Sequence, residues 1–395
     1  MIIGIPKETL QGENRVALTP ANVMFLCRRG CSVLVETSAG QAADYPDSAY
    51  EKAGAQLVNE RAKIFAQAEL IVQVQVNSQA DAEAPIELRP GQLVIGLMDP
   101  LGNPQQAQLL ADRNVTSIAM ELIPRISRAQ SMDALSSMAT IAGYKAVLLG
   151  ANEAGRIYPM LMTAAGTLNP SRVFIMGVGV AGLQAAATAK RMGAVVEAYD
   201  VRPAAREQII SVGAKPIELA LEAEATEGKG GYAKAQGEDF LKRQRELMTE
   251  VLAQQDIVIT TAAIPGAKSP ILITKEMVAA MKPGAVIVDL AAERGGNCEL
   301  TRAGETVVEH GISIIGPENV PATVPHHASQ MYGKNIENLL SHLIDESGSL
   351  NLDFNDEIIQ ETVMSHNGEV CQPRIRELLD LPPLINPNEV VEEVA

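Results

Sequence analysis

The sequence predicts an α/β protein made of two doubly wound parallel-sheet domains joined by long connecting helices. Short apolar, β-branched runs alternate with helical patterns from the first residue, and this alternation is typical of parallel sheets covered by helices. A second alternating series starts near residue 173, after a long stretch rich in small residues. The chain has 395 residues, 47% hydrophobic and 20% charged, which is enough for two buried cores.

The first series predicts one doubly wound unit of about 120 residues. Its strands are predicted at 2–5, 32–36, 70–74, 93–97 and 116–120. Helical segments with suitable caps lie between these strands. One helix opens at Thr19-Pro20 and closes at Gly30, and two shorter helices cover 48–54 and 103–113.

The segment 133–165 is predicted to be a connecting helix, because small residues such as Ser136 and Gly143 run through it without a strand pattern. The strands of the second series are predicted at 173–176, 195–199, 257–261, 286–289 and 312–315. A helix over 330–345 and a short strand over 350–354 are expected to return to the first domain. The predicted first domain covers 1–132 together with 325–380, and the connecting helix covers 133–165. The predicted second domain covers 166–324, and a flexible acidic, proline-containing tail covers 381–395.

Charge and cysteine content argue against several functions. The formal net charge of −16 disfavours binding to nucleic acid or to anionic lipid. Four cysteines in so long a chain do not form a disulfide framework, which favours a reducing cytoplasm. No leader peptide and no uninterrupted apolar run long enough to span a membrane are expected.

Cys27 and Cys31 lie four residues apart on an apolar helix. Packed thiols and a metal site are the two interpretations of this spacing. No second Cys or His pair at ligand spacing accompanies them, so no metal is predicted.

A glycine-rich turn follows the first strand of the second series, with the sequence Gly177-Val178-Gly179-Val180-Ala181-Gly182. Gly177 permits a tight turn, Gly179 lets the backbone approach a pyrophosphate, and Gly182 allows helix and strand to pack closely. Val180 opens the helix. The strand, turn, helix and next strand together predict a Rossmann-like dinucleotide site, and a glycine-rich turn in an ordinary α/β domain is the alternative.

Asp200 ends the next strand, 23 residues after Gly177. A carboxylate at this place accepts hydrogen bonds from the adenosine ribose hydroxyls and repels a 2′-phosphate, which favours NAD over NADP. Arg202 offers a guanidinium that pairs with a 2′-phosphate in the alternative interpretation, but it does not remove the charge of Asp200. We therefore expect NAD(H) to bind in the cleft between the two predicted domains.

Two polar loops follow later strands of the second series, one at 260–266 and one comprising Asp289 with 293–298. Ligands of open α/β sheets bind beyond the carboxyl ends of the strands. Each loop is therefore either a cofactor contact or simply a polar loop at a strand end.

The segment 124–133, Pro-Arg-Ile-Ser-Arg-Ala-Gln-Ser-Met-Asp, leaves the first domain and enters the connecting helix. It brings two arginines, an amide and a carboxylate to the predicted cleft. Taken alone, it is equally explained as a helix start, with Asp133 as the N-cap and Arg125 and Arg128 solvating a surface loop.

Several segments together carry a family resemblance. They are Met1 to Pro20, 124–133, the Gly177 turn, Gly230-Gly231-Tyr232-Ala233-Lys234, 260–266 and 289–298. In these segments the chain closely resembles the NAD(H)-binding domain I of proton-translocating NAD(P) transhydrogenase, which belongs to its alpha subunit. The resemblance covers residues 1 to about 375, and the stretch 125–136 is highly specific to that family.

The resemblance implies roles for individual residues. The catalytic positions beside the nicotinamide are Arg125, Gln130, Asp133 and Ser136. The other predicted NAD(H) contacts are Ile126, Ser127, Arg128, Gly177, Gly179, Val180, Gly182, Asp200, Val201, Arg202, Gly231, Tyr232, Gln244, Ala263 and Asp289. Tyr232 matches the tyrosine of a mobile loop that closes over bound nucleotide, whereas Ala263 stands where relatives have leucine.

The resemblance also implies an activity, that of a proton-translocating NAD(P)⁺ transhydrogenase of the Si-specific/Re-specific type. Hydride would pass between NADH on this chain and NADP⁺ on another polypeptide, because this chain carries one dinucleotide fingerprint. In the family, the partner is the NADP-binding domain III of the membrane-bound beta subunit, and transfer is coupled to proton translocation. A cytoplasmic homodimer, attached peripherally to the inner membrane through its partner subunits, is therefore expected.

Two other functions are considered. Alanine dehydrogenase is similar in fold and in the segments Ile5-Pro6-Lys7-Glu8 and Asn14-Arg15-Val16-Ala17, but that family supplies a lysine after its third strand and a histidine after its fourth for reductive amination. Here the lysine position is Gln75, the fourth strand leads to Met98, and no histidine precedes residue 310. The third hypothesis is a non-catalytic NAD-binding regulatory module.

Overall fold

The computed structural model describes residues 1–76, 87–218, 238–345 and 348–384, with the backbone alone at 238–242 and 244. The chain forms two compact units. Unit 1 comprises Met1–Ser137 and Ala322–Ala395, and unit 2 comprises Met138–Pro321. Unit 1 is therefore discontinuous in sequence.

The described residues form seventeen strands, which are mostly short and apolar. They are β1 (Ile2–Ile5), β2 (Ser32–Glu36), β3 (Gln56–Val58), β4 (Leu70–Gln75), β5 (Leu93–Leu97), β6 (Thr116–Ala119), β7 (Leu161–Thr163), β8 (Gly166–Leu168), β9 (Arg172–Met176), β10 (Val195–Tyr199), β11 (Lys215–Pro216), β12 (Ile257–Thr260), β13 (Val286–Asp289), β14 (Thr306–Glu309), β15 (Ile312–Ile315), β16 (Val363–His366) and β17 (Glu369–Val370).

The α-helices of the described residues lie between these strands. They are α1 (Pro20–Arg28), α2 (Asp47–Ala53), α3 (Arg61–Gln67), α4 (Gln105–Asp112), α5 (Ala134–Glu153), α6 (Val180–Arg191), α7 (Ala205–Ser211), α8 (Glu238–Leu252), α9 (Lys275–Ala279), α10 (Pro325–Leu343), α11 (Glu357–Thr362) and α12 (Pro373–Leu378).

Unit 1 is built on a sheet whose strand order is β17-β16-β6-β5-β4-β1-β2-β3. The strands from β6 to β3 pair in parallel, and β16 and β17 add an antiparallel edge. Ile3 of the central strand β1 pairs with Val33 on one side and Leu70 on the other. Strand β4 is buried from Leu70 through Val74, as expected for a parallel strand covered on both faces.

Unit 2 contains a second sheet with the order β11-β10-β9-β12-β13-β15-β14, parallel except for β14. Strands β12 and β13 are buried along their whole length. From β9 the chain runs outward to β10 and β11, and then returns to β12 on the other side. The strand order therefore reverses between β9 and β12, which is the kind of position where α/β sheets bind ligands.

The predicted fold class of two doubly wound, mainly parallel sheets is confirmed. The strand predicted at 350–354 is wrong. Leu350 makes only an isolated bridge with Ile344, and the chain then turns, since Asp353 Oδ1 accepts a hydrogen bond from the backbone N–H of Asn355. Asp356 then caps α11 by accepting from the N–H of Ile358, so polar side chains replace the predicted strand with a turn and a helix.

The segment predicted as a connecting helix at 133–165 is helical only in α5, which ends at Glu153. The chain then turns, and the Tyr158 hydroxyl donates to the backbone O of Val147, which fixes the end of the helix. A two-stranded hairpin of β7 and β8 follows. All six residues of its strands are exposed, so they lack the one-sided apolar alternation by which strands are predicted.

Helix α5 is the one helix of the described residues that is long and apolar enough to cross a membrane by length and composition. Some of it packs inside unit 2, where Ala146 and Val147 are fully buried in an apolar cluster with strands β9 and β12. These contacts are those of a packed helix in a globular unit. The expectation that no segment of the chain spans a membrane stays a prediction.

We expect Gly143→Ala to destabilise unit 2 by about 1–3 kcal/mol, because an added Cβ would lie 2.1 Å from the backbone O of Ala181. Gly155→Ala is the matched control, since a Cβ there meets no atom within 4 Å. Urea unfolding measures the effect. The midpoint should fall for the first variant, whereas the free energy of unfolding of the second should stay within about 0.5 kcal/mol of that of the unaltered chain. Equal midpoints would show that the backbones of α5 and α6 do not meet this closely.

Candidate functional site

The glycine turn after β9 has the geometry that the sequence predicts. Gly177 has a φ of +93°, and a Cβ there would lie 2.9 Å from Thr261 Oγ1. A Cβ on Gly182 would lie 2.0 Å from the backbone O of Gly177, so only glycine allows α6 to approach the turn this closely. Thr261 Oγ1 donates to the same carbonyl at 2.9 Å and ties the loop after β12 to the turn.

Gly179 has a different role in the turn. It is the N-cap of α6 and lacks positive φ, and a Cβ at this position would meet no atom within 4 Å. No side chain caps the helix, and Gly179 and Val180 are exposed. The twelve-residue helix therefore begins at an exposed turn without a capping side chain, and its first-turn N–H groups have no intrahelical acceptor, which suits a phosphate group.

The Asp200 carboxylate follows β10 beside this turn. Its Oδ2 accepts from the backbone N–H of Val178 at 2.7 Å and from Arg202 Nη2 at 3.0 Å. Its Oδ1 accepts from the backbone N–H and from Nε of Arg202, both at 2.9 Å. Val201 lies between the two and packs against the apolar cluster that contains Phe174. The structure thus brings together the glycine turn and the predicted ribose carboxylate.

Asp289 is wholly buried at the end of β13. Its carboxylate accepts five hydrogen bonds from within unit 2: from Thr260 Oγ1, Thr301 Oγ1 and the backbone N–H groups of Ala291, Asn297 and Cys298. A carboxylate so enclosed has no acceptor left for a ligand. The Asp289 side chain therefore holds two loops in place, and its predicted contact with the cofactor stays a prediction.

Asn297 completes this arrangement and was missed by sequence reasoning. Its Oδ1 accepts from the N–H of Ala262 at 3.0 Å, and its Nδ2 donates to the backbone O of Ala262 and Pro270. Ala263 is exposed on the loop that these bonds fix. The one sequence signal for this role was an asparagine directly after Gly295-Gly296. Its partners, Ala262 and Pro270, lie too far away in sequence to be recognised as such.

In unit 1, the segment that resembles the nicotinamide loop is a 3₁₀ helix over Ser127–Met132. Arg125, Ser127 and Gln130 are exposed, and Ile126 is half-buried. Asn335 and Asn338 of α10 each donate from Nδ2 to the backbone O of Ser131 at 2.9 Å, which anchors the 3₁₀ helix. Sequence reasoning missed both asparagines because they lie more than 200 residues further along.

Asp133 caps α5, as the alternative interpretation of this segment predicts. Its Oδ1 accepts from the backbone N–H of Ser136 at 2.9 Å, and its Oδ2 accepts from Ser136 Oγ at 2.5 Å. Both side chains remain half-buried. The cap fixes where the exposed loop meets the helix, so capping and a functional role are compatible.

Arg128 has a structural partner. Its guanidinium donates to both oxygens of Asp356, at 2.8 and 2.6 Å, and His342 Nε2 lies 2.8 Å from Asp356 Oδ2. The hydrogen bonds from Arg128 lower the pKa of Asp356 to about 2. This ion pair anchors the loop to the N-terminus of α11, and the predicted cofactor contact of Arg128 stays a prediction.

Three predicted contacts are not placed by the structure. Gly231 and Tyr232 lie outside the described residues, and only the backbone of Gln244 is described, within α8. Among the described residues, no group of three His, Cys, Asp or Glu side chains has the arrangement of a metal site. Cys31 is buried, and the Cys27 Sγ lies 3.5 Å from the backbone O of Gly54. Both environments are those of packed thiols.

Two protein-family models match this chain. The model of the alanine dehydrogenase/PNT N-terminal domain matches residues 4–142, and that of the alanine dehydrogenase/PNT C-terminal domain matches 146–373. The chain belongs to the alanine dehydrogenase/PNT family. The resemblance to transhydrogenase that the sequence predicts is confirmed by individual relatives.

An NAD(P) transhydrogenase alpha-subunit polypeptide of Rhodospirillum rubrum is 46% identical, over 95% of this chain and 99% of that protein. The crystal structure of transhydrogenase from Sinorhizobium meliloti is 44% identical, over 94% of this chain and 100% of that chain, with a TM-score of 0.83. The alanine dehydrogenase of Bacillus subtilis is 32% identical, over 82% of this chain and 81% of that protein.

This alanine dehydrogenase/PNT family member also buries carboxylates at the carboxyl edge of the first sheet. Glu121 Oε1 accepts from the N–H groups of Met98 and Asp99, both at 2.7 Å, whereas its buried Oε2 has no hydrogen-bond partner. Burial raises the pKa of Glu121 to about 7. Burial likewise raises the pKa of Glu8 to about 7. Burial, followed by the charges of Glu121 and Glu8, raises the pKa of Tyr332 well above its ordinary value.

We expect the stability of the chain to fall between about pH 4.5 and pH 7. A carboxyl group with a raised pKa in the folded state binds its proton more tightly there than in the unfolded chain, so its stabilising contribution is full at low pH and lost as pH rises through about 7. Glu121→Gln keeps a neutral group whose oxygen can accept both backbone bonds. This variant should be more stable than the unaltered chain by about 1–2 kcal/mol at pH 8 and equal to it near pH 4.5.

Urea unfolding at pH 4.5, 6 and 8 measures this effect. The control is Glu51→Gln, which removes an exposed carboxylate of α2. If the free energy of unfolding depends on pH in the same way for Glu121→Gln, Glu51→Gln and the unaltered chain, burial does not keep the Glu121 carboxyl group protonated.

Proposed function

We propose that this chain is the NAD(H)-binding subunit of a proton-translocating transhydrogenase. Hydride would pass between NADH on this chain and NADP⁺ on a partner subunit, and transfer would be coupled to proton movement across a membrane. One observation carries the proposal: a glycine turn at the reversal of strand order lies hydrogen-bonded to Asp200, in a chain aligned over almost its whole length with a transhydrogenase alpha subunit.

The residues of unit 2 fit the adenosine half of a dinucleotide. The open space at Gly179, where a Cβ would meet nothing, suits the pyrophosphate, and the first turn of α6 offers N–H donors. Asp200 is a carboxylate at the place where ribose hydroxyls are recognised, and its charge opposes a 2′-phosphate. Exposed Ala263 would line the site beside them. The bound cofactor is therefore proposed to be NAD(H).

In unit 1, the proposal assigns Arg125, Gln130, Asp133 and Ser136 to the nicotinamide end. The bound nicotinamide ring would supply the hydride. The chain's own side chains then need only orient the ring and exclude water, since transfer between two nicotinamides moves no proton at the reacting carbons. The anchored 3₁₀ helix and the Asp133 cap give the exposed Gln130 a fixed position for this task.

An amino-acid dehydrogenase is a weaker candidate. Its proton donor and cationic anchor would belong at Gln75, which ends β4, and just after β5, where Met98 is buried. An amide and a thioether do neither task. Oxidation of NADH that requires both pyruvate and ammonia would favour this candidate over transhydrogenation.

The partner subunit is proposed to carry NADP(H) on its domain III. The described residues contain one glycine turn followed by a ribose carboxylate, and the relatives are named as one subunit of a larger enzyme. Membrane attachment would then be peripheral, from the cytoplasmic side and through the partner subunits. A non-catalytic NAD-binding module remains the alternative, and it predicts nucleotide affinity without transfer after a partner is added.

The proposal includes a homodimer formed through the β7–β8 hairpin. Residues 157–170 carry no charged side chain, and Met162 and Leu168 are 76% and 53% exposed. An isolated two-stranded hairpin is only marginally stable in water, so this one needs a covering surface. A second copy offers an identical uncharged hairpin, and a twofold axis would cover both at once.

We expect Met162→Glu combined with Leu168→Glu to convert dimer to monomer, because charges would then face each other across the twofold axis. Val308→Glu is the control, since Val308 is also exposed, at 65%, but lies on β14. Sedimentation velocity at micromolar concentration measures the oligomeric state. A dimer that persists in the double variant would contradict a hairpin interface.

We expect Gln130→Asn to lower the rate of hydride transfer tenfold or more while leaving NADH affinity within about twofold. The shorter amide would misplace the ring, and a tenfold loss corresponds to about 1.4 kcal/mol of barrier. The assay mixes this chain, an NADH analogue and the NADP-binding domain of a transhydrogenase. Gln67→Asn, at an exposed position of α3, is the control.

The two measurements separate the explanations. An unchanged rate in Gln130→Asn would make the loop only a helix start and a surface turn. No transfer by the unaltered chain, despite NADH binding, would leave the regulatory module as the function.

A further inference from the structure

The acceptor positions of the Asp200 carboxylate are all filled. A carboxylate has about four lone-pair positions for hydrogen bonds. Those of Asp200 are taken by the N–H of Val178, the N–H of Arg202, and the Nε and Nη2 of the Arg202 guanidinium, at 2.7 to 3.0 Å. An incoming ribose would find no acceptor that is not already bonded.

The Arg202 guanidinium binds the carboxylate side-on. Nε donates to Oδ1 and Nη2 donates to Oδ2, so two neighbouring donors meet two oxygens. A vicinal ribose diol presents the same pattern of two adjacent donors. Nη2 also donates to the backbone O of Val178 at 3.1 Å, so the guanidinium bridges Asp200 and the glycine turn.

The other two bonds to Asp200 do not depend on the guanidinium. The N–H groups of Val178 and Arg202 belong to the backbone and hold the carboxylate in place while a side chain moves. The residues that follow, Pro203 and Ala204, are exposed, and the Arg202 side chain itself is 16% exposed. The Arg202 side chain is therefore partly exposed and has exposed neighbours, so a change of rotamer can take its guanidinium away from Asp200.

We propose that Arg202 is a specificity-determining residue that occupies the ribose acceptors of Asp200 and is displaced only by a ligand with two adjacent hydroxyl donors. This inference rests on the proposed binding of NAD(H) to unit 2. A ligand with one hydroxyl replaces only one of the two hydrogen bonds between the Arg202 guanidinium and Asp200, and the other is lost without replacement. A ligand with a 2′-phosphate lacks the diol and meets the negative carboxylate.

The proposal reverses the usual expectation for a predicted ligand residue. If Arg202 only held the nucleotide, its removal would weaken NADH binding. If it competes for Asp200, its removal frees the binding-competent state and strengthens NADH binding, since the apparent affinity rises with the population of that state. An ion pair beside solvent contributes modestly, so the expected gain is about two- to tenfold.

The test titrates the full chain with NADH and with NADPH, followed by cofactor fluorescence, for the unaltered protein, Arg202→Ala and Arg202→Lys. Arg206→Ala is the control. It removes the same charge four residues away, on α7, and Arg206 pairs with Glu218 instead of Asp200. The Kd for NADH should fall two- to tenfold in Arg202→Ala, less in Arg202→Lys, and stay unchanged in Arg206→Ala. NADPH should bind no more tightly to any variant.

A second measurement uses adenosine and 2′-deoxyadenosine as uncharged competitors of NADH. The unaltered chain should prefer adenosine strongly, since only the diol displaces the fork. The preference should shrink at least threefold in Arg202→Ala, where one hydroxyl suffices to bond a free oxygen. A merely structural arginine would change both competitors alike. Circular dichroism of each variant establishes that it is folded.

The outcomes separate this inference from the proposed function. If the unaltered chain and every variant fail to bind NADH, the proposed function fails. If the unaltered chain binds NADH but Arg202→Ala binds it equally or more weakly, with the adenosine preference unchanged, the proposed function stands and the role of Arg202 as a competitor is overturned.

Discussion

The close approach of α6 to the glycine turn is the constraint on which the candidate nucleotide site depends. The backbone O of Gly177 occupies the place where a side chain at position 182 would begin. The same carbonyl accepts from Thr261, and the N–H of Val178, the next residue, reaches Asp200. Turn, helix, ribose carboxylate and the loop after β12 thus form one hydrogen-bonded system, and the helix N-terminus remains open at Gly179.

Two aspartates at strand ends of the second sheet show how surroundings decide a role. Asp289 receives every hydrogen bond from side chains and N–H groups that are fixed by the fold, so it binds loops together. Asp200 receives two of its four bonds from one side chain next to solvent. A carboxylate whose partners can leave is available to a ligand, and one whose partners cannot leave is structural.

In unit 1, folding and proposed function use the same residues. Asp133 caps α5 through Ser136, and the exposed 3₁₀ helix before it is held through Ser131 by two asparagines of α10. Arg128 adds an ion pair to Asp356. Substitutions in this loop therefore act on local stability as well as on any ligand, which is why affinity and rate must be measured separately.

The sequence by itself determined the two parallel sheets, the glycine turn and the carboxylate that follows β10, because these depend on local periodicity and on residues within one strand-helix-strand unit. It did not reveal that Asp289 is enclosed, that Asn297, Asn335 and Asn338 hold the loops, or that Arg202 covers Asp200. The two-residue edge strand β17 and the hairpin of β7 and β8 were missed for a related reason, since very short or fully exposed strands have no one-sided pattern. Only the tertiary structure decides these features, because a hydrogen bond between distant residues depends on where the packed elements place their ends, and a side chain's free acceptors are counted only when every neighbour is in place.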